Sequence, residues 1–204
     1  MHTNRSVFFM NDTREYIIDE SYKLFLNRSY EAVSISVISD AIGFTKGALY
    51  HHFKNKEELF KAVIDKYFTI NGVKVDVDTI TLKEYTAASI QQTRAILINI
   101  FGQEEKIAPI NYLALISDCF RHYEGFAKEK LNFIDHEVAN VERIIKNAIT
   151  RGEIRNDINT HVVALQYFSL SIGLAGDFMR NYSIDSAINT MKEQMNQLYN
   201  LLKI

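Results

Sequence analysis

The stretch SISVISDAIGFTKGALYHHFKNKEELF, Ser34 to Phe60, decides the reading of this chain. Ser34 is a good N-cap, and Ile35, Ile38 and Ile42 follow at i, i+3 and i+7, which describes a short helix buried along one stripe. Gly43 stops that helix. Thr45 can cap a second short helix whose Leu49 and Phe53 point inward at i and i+4, leaving Lys46, Gly47, Tyr50 and His51 on the outer side. Two short helices joined by a glycine turn, the second carrying an exposed polar face, are what a helix-turn-helix requires. In this reading Gly43 serves the turn and Ala41 is small enough for close contact between the helices.

Charge agrees with a nucleic-acid role for this window and for no larger part of the chain. Lys and Arg number 23 against 25 Asp and Glu over 204 residues, so the net charge of -2 supplies no global attraction for phosphate. Between Ala41 and Lys56, however, stand Lys46, Lys54 and Lys56 with His51 and His52 and no acid. The helix starts at Ser34, Thr45 and Asn55 add backbone N–H donors.

Working outward, Met1 to Asn11 reads as a tail on which Phe8 and Phe9 dock, and Asp12 opens a helix with Glu15 at the capping-box spacing. Ile17, Ser21, Leu24 and Phe25 form its inner face, and Asn27 to Ser29 ends it. Asn55 and Glu58 begin another helix with Leu59, Phe60, Val63, Ile64, Tyr67 and Phe68 inward, ending near Asn71 and Gly72. Val73 to Asp78 is a connector. Helical patterns resume over about 82–101, 109–123, 127–151, 159–181 and 184–202. The expected fold is all-α: an N-terminal tail and helix-turn-helix domain over 1–60, then a larger helical effector-binding and dimerisation domain over 61–204. One cysteine, Cys119, excludes an intrachain disulfide framework, and no uninterrupted apolar run is long enough for a membrane helix, so the expected compartment is the cytoplasm.

The Ser34 to Phe60 stretch resembles the DNA-binding signature of TetR-family transcriptional regulators. Gly43, Lys46, Gly47, Leu49, Tyr50, Phe53, Lys56, Glu58 and Leu59 sit at that family's spacing, and Leu24, Phe25 and Tyr30 extend the likeness upstream. Ser29, Ser39 and Ala48 depart from the usual glycine, alanine and threonine. A weaker likeness returns over Arg151 to Ala175. The resemblance implies an all-helical homodimer that binds a double-stranded DNA operator, acts as a repressor, and is released by a small-molecule effector. It makes Tyr50 and Lys56 phosphate contacts, puts Lys46 and Gly47 at the start of the recognition helix, and leaves Ser34, Thr45 and His51 as contacts to backbone or base.

The C-terminal region offers softer signals. Leu165, Phe168, Ile172, Leu174 and Phe178, with Ile188, Met191, Met195, Leu198 and Leu202, make the last two helices (about 159–202) the expected dimer contact, with Gly173 and Gly176 allowing close approach. The alternative is that this face closes on 127–151 of its own chain. Tyr112, Phe120, Tyr123, Phe126, Phe133, His136 and Phe168 are the aromatic and polar residues from which an effector pocket would be drawn, although stripes of this kind are more often core. Asp118 and His122, at i and i+4, with His136 and Glu137 later, raise a metal-dependent enzyme as a rival. Without a second spaced His or Cys pair, a phosphate loop or a nucleophile elbow, the expectation is no catalytic residue, no metal and no cofactor. A ligand-independent DNA-binding protein is the other alternative.

Overall fold

A computed structural model of the chain describes residues 3–68, 71–101, 109–173, 180 and 183–204, with side chains described from Asp12 onward, Pro109 excepted. Among the described residues the chain is helical: α1 (Thr3–Asn27), α2 (Ile35–Ile42), α3 (Lys46–His52), α4 (Lys56–Tyr67), α5 (Leu82–Phe101), α6 (Pro109–His122), α7 (Phe126–Thr150), α8 (Thr160–Ile172) and α9 (Ile184–Leu202). The all-α expectation holds. The described residues contain no strand, only an isolated antiparallel bridge between Ile154 and Lys203.

The chain divides into two compact units, one formed by Met1–Thr69 with Ile110–Ala127 and the other by Ile70–Pro109 with Lys128–Ile204. The first unit therefore takes in more chain than residues 1–60. Its core is aromatic: Phe60 meets Phe25 edge-on at 5.0 Å and Tyr30 at 4.8 Å, and all three are buried. Ile17, Ile18, Val33, Ile38, Leu49, Phe53, Leu59 and Val63 complete this interior from α1 through α4. From α6, Tyr112 stacks on Phe68 at 5.0 Å, while Leu115 and Cys119 are buried.

Two details of this unit differ from expectation. The first helix starts at Thr3 rather than Asp12. Nothing between those residues breaks a helix, with neither glycine nor proline present, so a preference for Asp12 as a cap does not stop the turn from continuing upstream. The side chains of Phe8 and Phe9 lie outside those described. The small residue packed inside α2 is Ser39, which is buried, whereas Ala41 is exposed. The Ile35, Ile38 and Ile42 stripe is centred so that position 39 falls nearer its middle than position 41, and the Ser39 hydroxyl meets its own need by donating to the Ser36 carbonyl at 2.9 Å.

The second unit packs α5, α7, α8 and α9 around Leu82, Tyr85, Val141, Ile144, Ile145, Val163, Tyr167, Ile188, Met191 and Met195. Its entry is capped from two sides. Thr81 and Glu84 form the reciprocal capping box at the start of α5, and the Glu153 carboxylate accepts from the N–H groups of Leu82 and Lys83 at 3.1 and 3.0 Å. The connector before α5 is held by Asp76, which accepts from the Asp78 N–H and the Thr79 hydroxyl, each at 3.0 Å. None of the described helices is long and apolar enough to cross a membrane.

This packing corrects part of the expected dimer surface. Ile188, Met191, Met195 and Leu202 belong to the interior of their own unit, because α9 lays that stripe chiefly against α5 and also against α8. Leu198 and Phe168 pack on the same core and are half-buried. Among the described residues of the last two helices, the large apolar side chains that stay exposed are Leu201 on α9 and Val162, Leu165 and Ile172 on α8, and these last three share one helical face. Leu174, Gly176 and Phe178 lie outside the described residues.

Candidate nucleic-acid interface

The exposed face of α3 is set by what its other face must bury and by three caps. Ser34 Oγ accepts from the Val37 N–H at 3.2 Å, Thr45 Oγ1 from Ala48 at 3.2 Å, and Asn55 Oδ1 from Glu58 at 2.8 Å, so all three predicted helix starts are formed as read. Glu58 reaches back to the Lys54 N–H at 2.7 Å, a displaced form of the capping box. Between α2 and α3, Gly43 adopts φ 71° and the Phe44 N–H reaches the Ser39 carbonyl at 3.0 Å, a Schellman closure that turns the chain sharply. A Cβ at Gly43 would meet nothing within 4 Å, so only the left-handed backbone resists a side chain there. Gly43→Ala should accordingly lower unfolding free energy by about 1 kcal/mol, read as a drop of a few degrees in melting temperature.

Leu49 and Phe53 are buried and anchor α3 against α2 and the rest of the unit. Arg14 of α1 lies over the Phe53 ring, 4.9 Å from its centre. With that side fixed, Thr45, Lys46, Gly47, Tyr50 and His51 face solvent, and Tyr50 keeps 54% of its surface exposed. A buried tyrosine would have refuted the DNA-facing reading. His52 is half-buried, and desolvation, then the neighbouring His51 and Arg14, hold its pKa below the usual histidine value.

Lys56 is placed differently from Lys46 and Lys54. Its ammonium donates to the Tyr30 carbonyl at 3.0 Å and sits over the Tyr30 ring, 3.8 Å from the centroid. The side chain thus ties α4 to the turn before α2, a contact across 26 positions that local spacing does not reveal. Lys46 and Lys54 are exposed. The two roles separate in measurement: Lys46→Ala should flatten the salt dependence of DNA binding by about one unit of log–log slope at unchanged melting temperature. Lys56→Ala should instead lower unfolding free energy by about 1–2 kcal/mol, since it removes a charged hydrogen bond and a cation–π contact together.

The aromatic residues considered for an effector pocket are divided between the two units. Tyr112, Phe120, Tyr123 and Phe126 belong to the first unit, and Phe133, His136 and Phe168 to the second. Tyr123 and Phe126 are buried there, with Phe126 edge-on to the exposed Phe120 at 5.1 Å. The Tyr123 hydroxyl donates to Asp65 at 2.8 Å and accepts from Lys61. His136 is exposed, and Phe133 and Phe168 are half-buried.

A residue that sequence reasoning missed is Glu31. It bonds His122 through its carboxylate at 2.8 Å, and Asp118 accepts from the Tyr30 N–H beside it, also at 2.8 Å. The i, i+4 pair on α6 was legible. Its partners on the turn after α1, about ninety positions away, were not.

Comparison with known proteins agrees with this geometry. The family profile for bacterial regulatory proteins of the tetR family matches residues 17–63, the span from mid-α1 to α4. The HTH-type transcriptional regulator UidR of Escherichia coli K12 is 26% identical over 169 residues, covering 81% of each chain. The solved structure of NalD, the secondary repressor of a multidrug efflux pump in Pseudomonas aeruginosa, superposes with a TM-score of 0.63 at 17% identity, over 95% of this chain and 98% of that one. A complex of SmeT with triclosan does so at 0.62 and 15%, over 95% and 92%. With its capped, glycine-turned α2–α3 pair and the solvent-facing side of α3, the chain carries over residues 17–63 the DNA-binding module of the bacterial tetR family of regulatory proteins, the module of a DNA-binding transcriptional regulator.

Proposed function

We propose that the chain is a homodimeric repressor of the cytoplasm that seats α3 of each copy in the major groove of an operator and leaves DNA when a small molecule binds. The observation that carries this reading is the exposed set Lys46, Gly47, Tyr50 and His51 on a helix held by buried Leu49 and Phe53. In the division of labour we propose, residues 1–60 read DNA and 61–204 serve effector binding and dimerisation. Tyr50 and Lys46 contact phosphate or base edges, Ser34 and Thr45 add hydroxyls while capping their helices, and Lys56 braces the module from within.

A two-fold operator requires a two-fold protein, with half-sites about one helical turn apart. The exposed α8 stripe of Val162, Leu165 and Ile172 supports dimerisation through this part of the chain, in place of the α9 stripe that the second unit buries. Leu165→Glu should then shift the chain toward monomer in sedimentation equilibrium without altering its helical circular dichroism. For the effector, SmeT holding triclosan shows that one protein of this fold takes a small molecule. Phe133, His136 and Phe168 are the candidates within the second unit. The test is selection of bound sequences from random duplex DNA by the full-length protein, followed by titration with a small-molecule library. Recovery of an inverted repeat, bound tightly and released by a compound, supports the reading, whereas recovery of unrelated sequences overturns it.

A further inference from the structure

Away from the DNA-facing surface, the first unit gathers a mixed set of metal-ligating groups. Glu31 lies on the turn between α1 and α2, and Asp118 and His122 lie one turn apart on α6. One donor atom from each falls within 4.8 Å of the others. Three features prepare the cluster. Asp118 is 6% exposed, and only one of its oxygens, Oδ2, receives the Tyr30 N–H, which leaves the second oxygen available. The His122 ring is stacked on Tyr30 at 4.2 Å and 15°, so its plane is set before any ligand arrives. His122 Nε2 already points at the Glu31 carboxylate, 2.8 Å away.

A buried carboxylate is costly unless paired, and no described cationic side chain pairs with Asp118. One imidazole nitrogen with two carboxylate oxygens suits a zinc-type divalent cation, whereas calcium and magnesium favour all-oxygen sets. Two carboxylates also neutralise two positive charges. Bonds of about 2.0–2.2 Å to a tetrahedral ion place donors roughly 3.3 Å apart, so the cluster needs only small side-chain rotations to close. The Tyr30 N–H and the stacked Tyr30 ring then act as the outer supports that hold the ligands in orientation.

We propose that Glu31, Asp118 and His122 bind a zinc-class divalent cation, with water completing its coordination. The ion takes the place of the His122–Glu31 hydrogen bond and clamps the turn that leads to Ser34 and α2 onto α6. Because the folded chain alone assembles the three donors, binding stabilises that unit.

The test uses the full-length, metal-stripped protein, with Co2+ as spectroscopic probe, Zn2+ as competitor, and the variants Glu31→Gln and His122→Ala, whose side chains are partly or largely exposed. Wild type should bind one equivalent of Co2+ with a visible absorption band that Zn2+ abolishes, and Zn2+ should raise its melting temperature. Each variant should keep its helical circular dichroism, weaken binding by at least about tenfold and lose the thermal shift. Absence of saturable Co2+ or Zn2+ binding overturns the proposal, and so does equal affinity in wild type and both variants, which places the ion elsewhere. Operator binding by the metal-free chain is measured separately, so neither result decides the other.

Discussion

Gly47→Glu should abolish specific DNA binding while leaving the protein folded. A Cβ at Gly47 would find only Thr45 Oγ1, at an ordinary 3.8 Å, and Gly47 does not use a left-handed backbone. The substitution replaces a poor helix former with a better one and sets an acid in the first turn of α3, both mildly favourable to the fold. At the DNA surface the same carboxylate meets phosphate and base acceptors, where like charges cost several kcal/mol. The expected outcome is a loss of about a hundredfold or more in operator affinity by fluorescence anisotropy, with an unchanged or raised melting temperature. Full affinity in the variant would mean that α3 does not face DNA.

The second large effect is on stability. Phe60→Ala should destabilise the first unit by about 3–5 kcal/mol, the range for removing a fully buried aromatic side chain. Phe60 is inaccessible to solvent and is wedged between Phe25 and Tyr30, and Tyr30 in turn carries the Lys56 and His122 contacts. Its loss leaves a cavity at the centre of the unit that positions α3. Since whole domains are stable by only about 5–15 kcal/mol, DNA binding should fail together with folding in this variant. Denaturant titration monitored by circular dichroism checks the magnitude, and a change below about 1 kcal/mol would contradict the packing described.

These two substitutions also mark what could be read from the chain alone. The α2–α3 pair was legible because each of its determinants is local: caps at Ser34 and Thr45, a glycine at 43, and inward residues at helical spacing. So was the outer face of α3, which follows once Leu49 and Phe53 are assigned inward. The start of α1 was not, because a helix with neither breaker nor cap upstream has no local signal for where it begins. Nor was the fate of the α9 stripe. Ile188, Met191 and Met195 announce that they are buried, but periodicity does not say whether a second copy or α5 of the same chain does the burying. The same holds for Lys56, Glu31 and the aromatic candidates for an effector pocket: their partners are set by tertiary approach between distant segments, and sequence spacing is blind to that.

The account rests on α3 entering the major groove in two copies. Methylation protection on a selected operator reads this directly, because dimethyl sulfate attacks guanine N7 on the major-groove side and adenine N3 on the minor-groove side. Two clusters of protected guanine N7 positions, about 10 base pairs apart centre to centre and lost in Gly47→Glu, are the predicted result. Protection confined to adenine N3, or guanine protection that Gly47→Glu leaves intact, would contradict it.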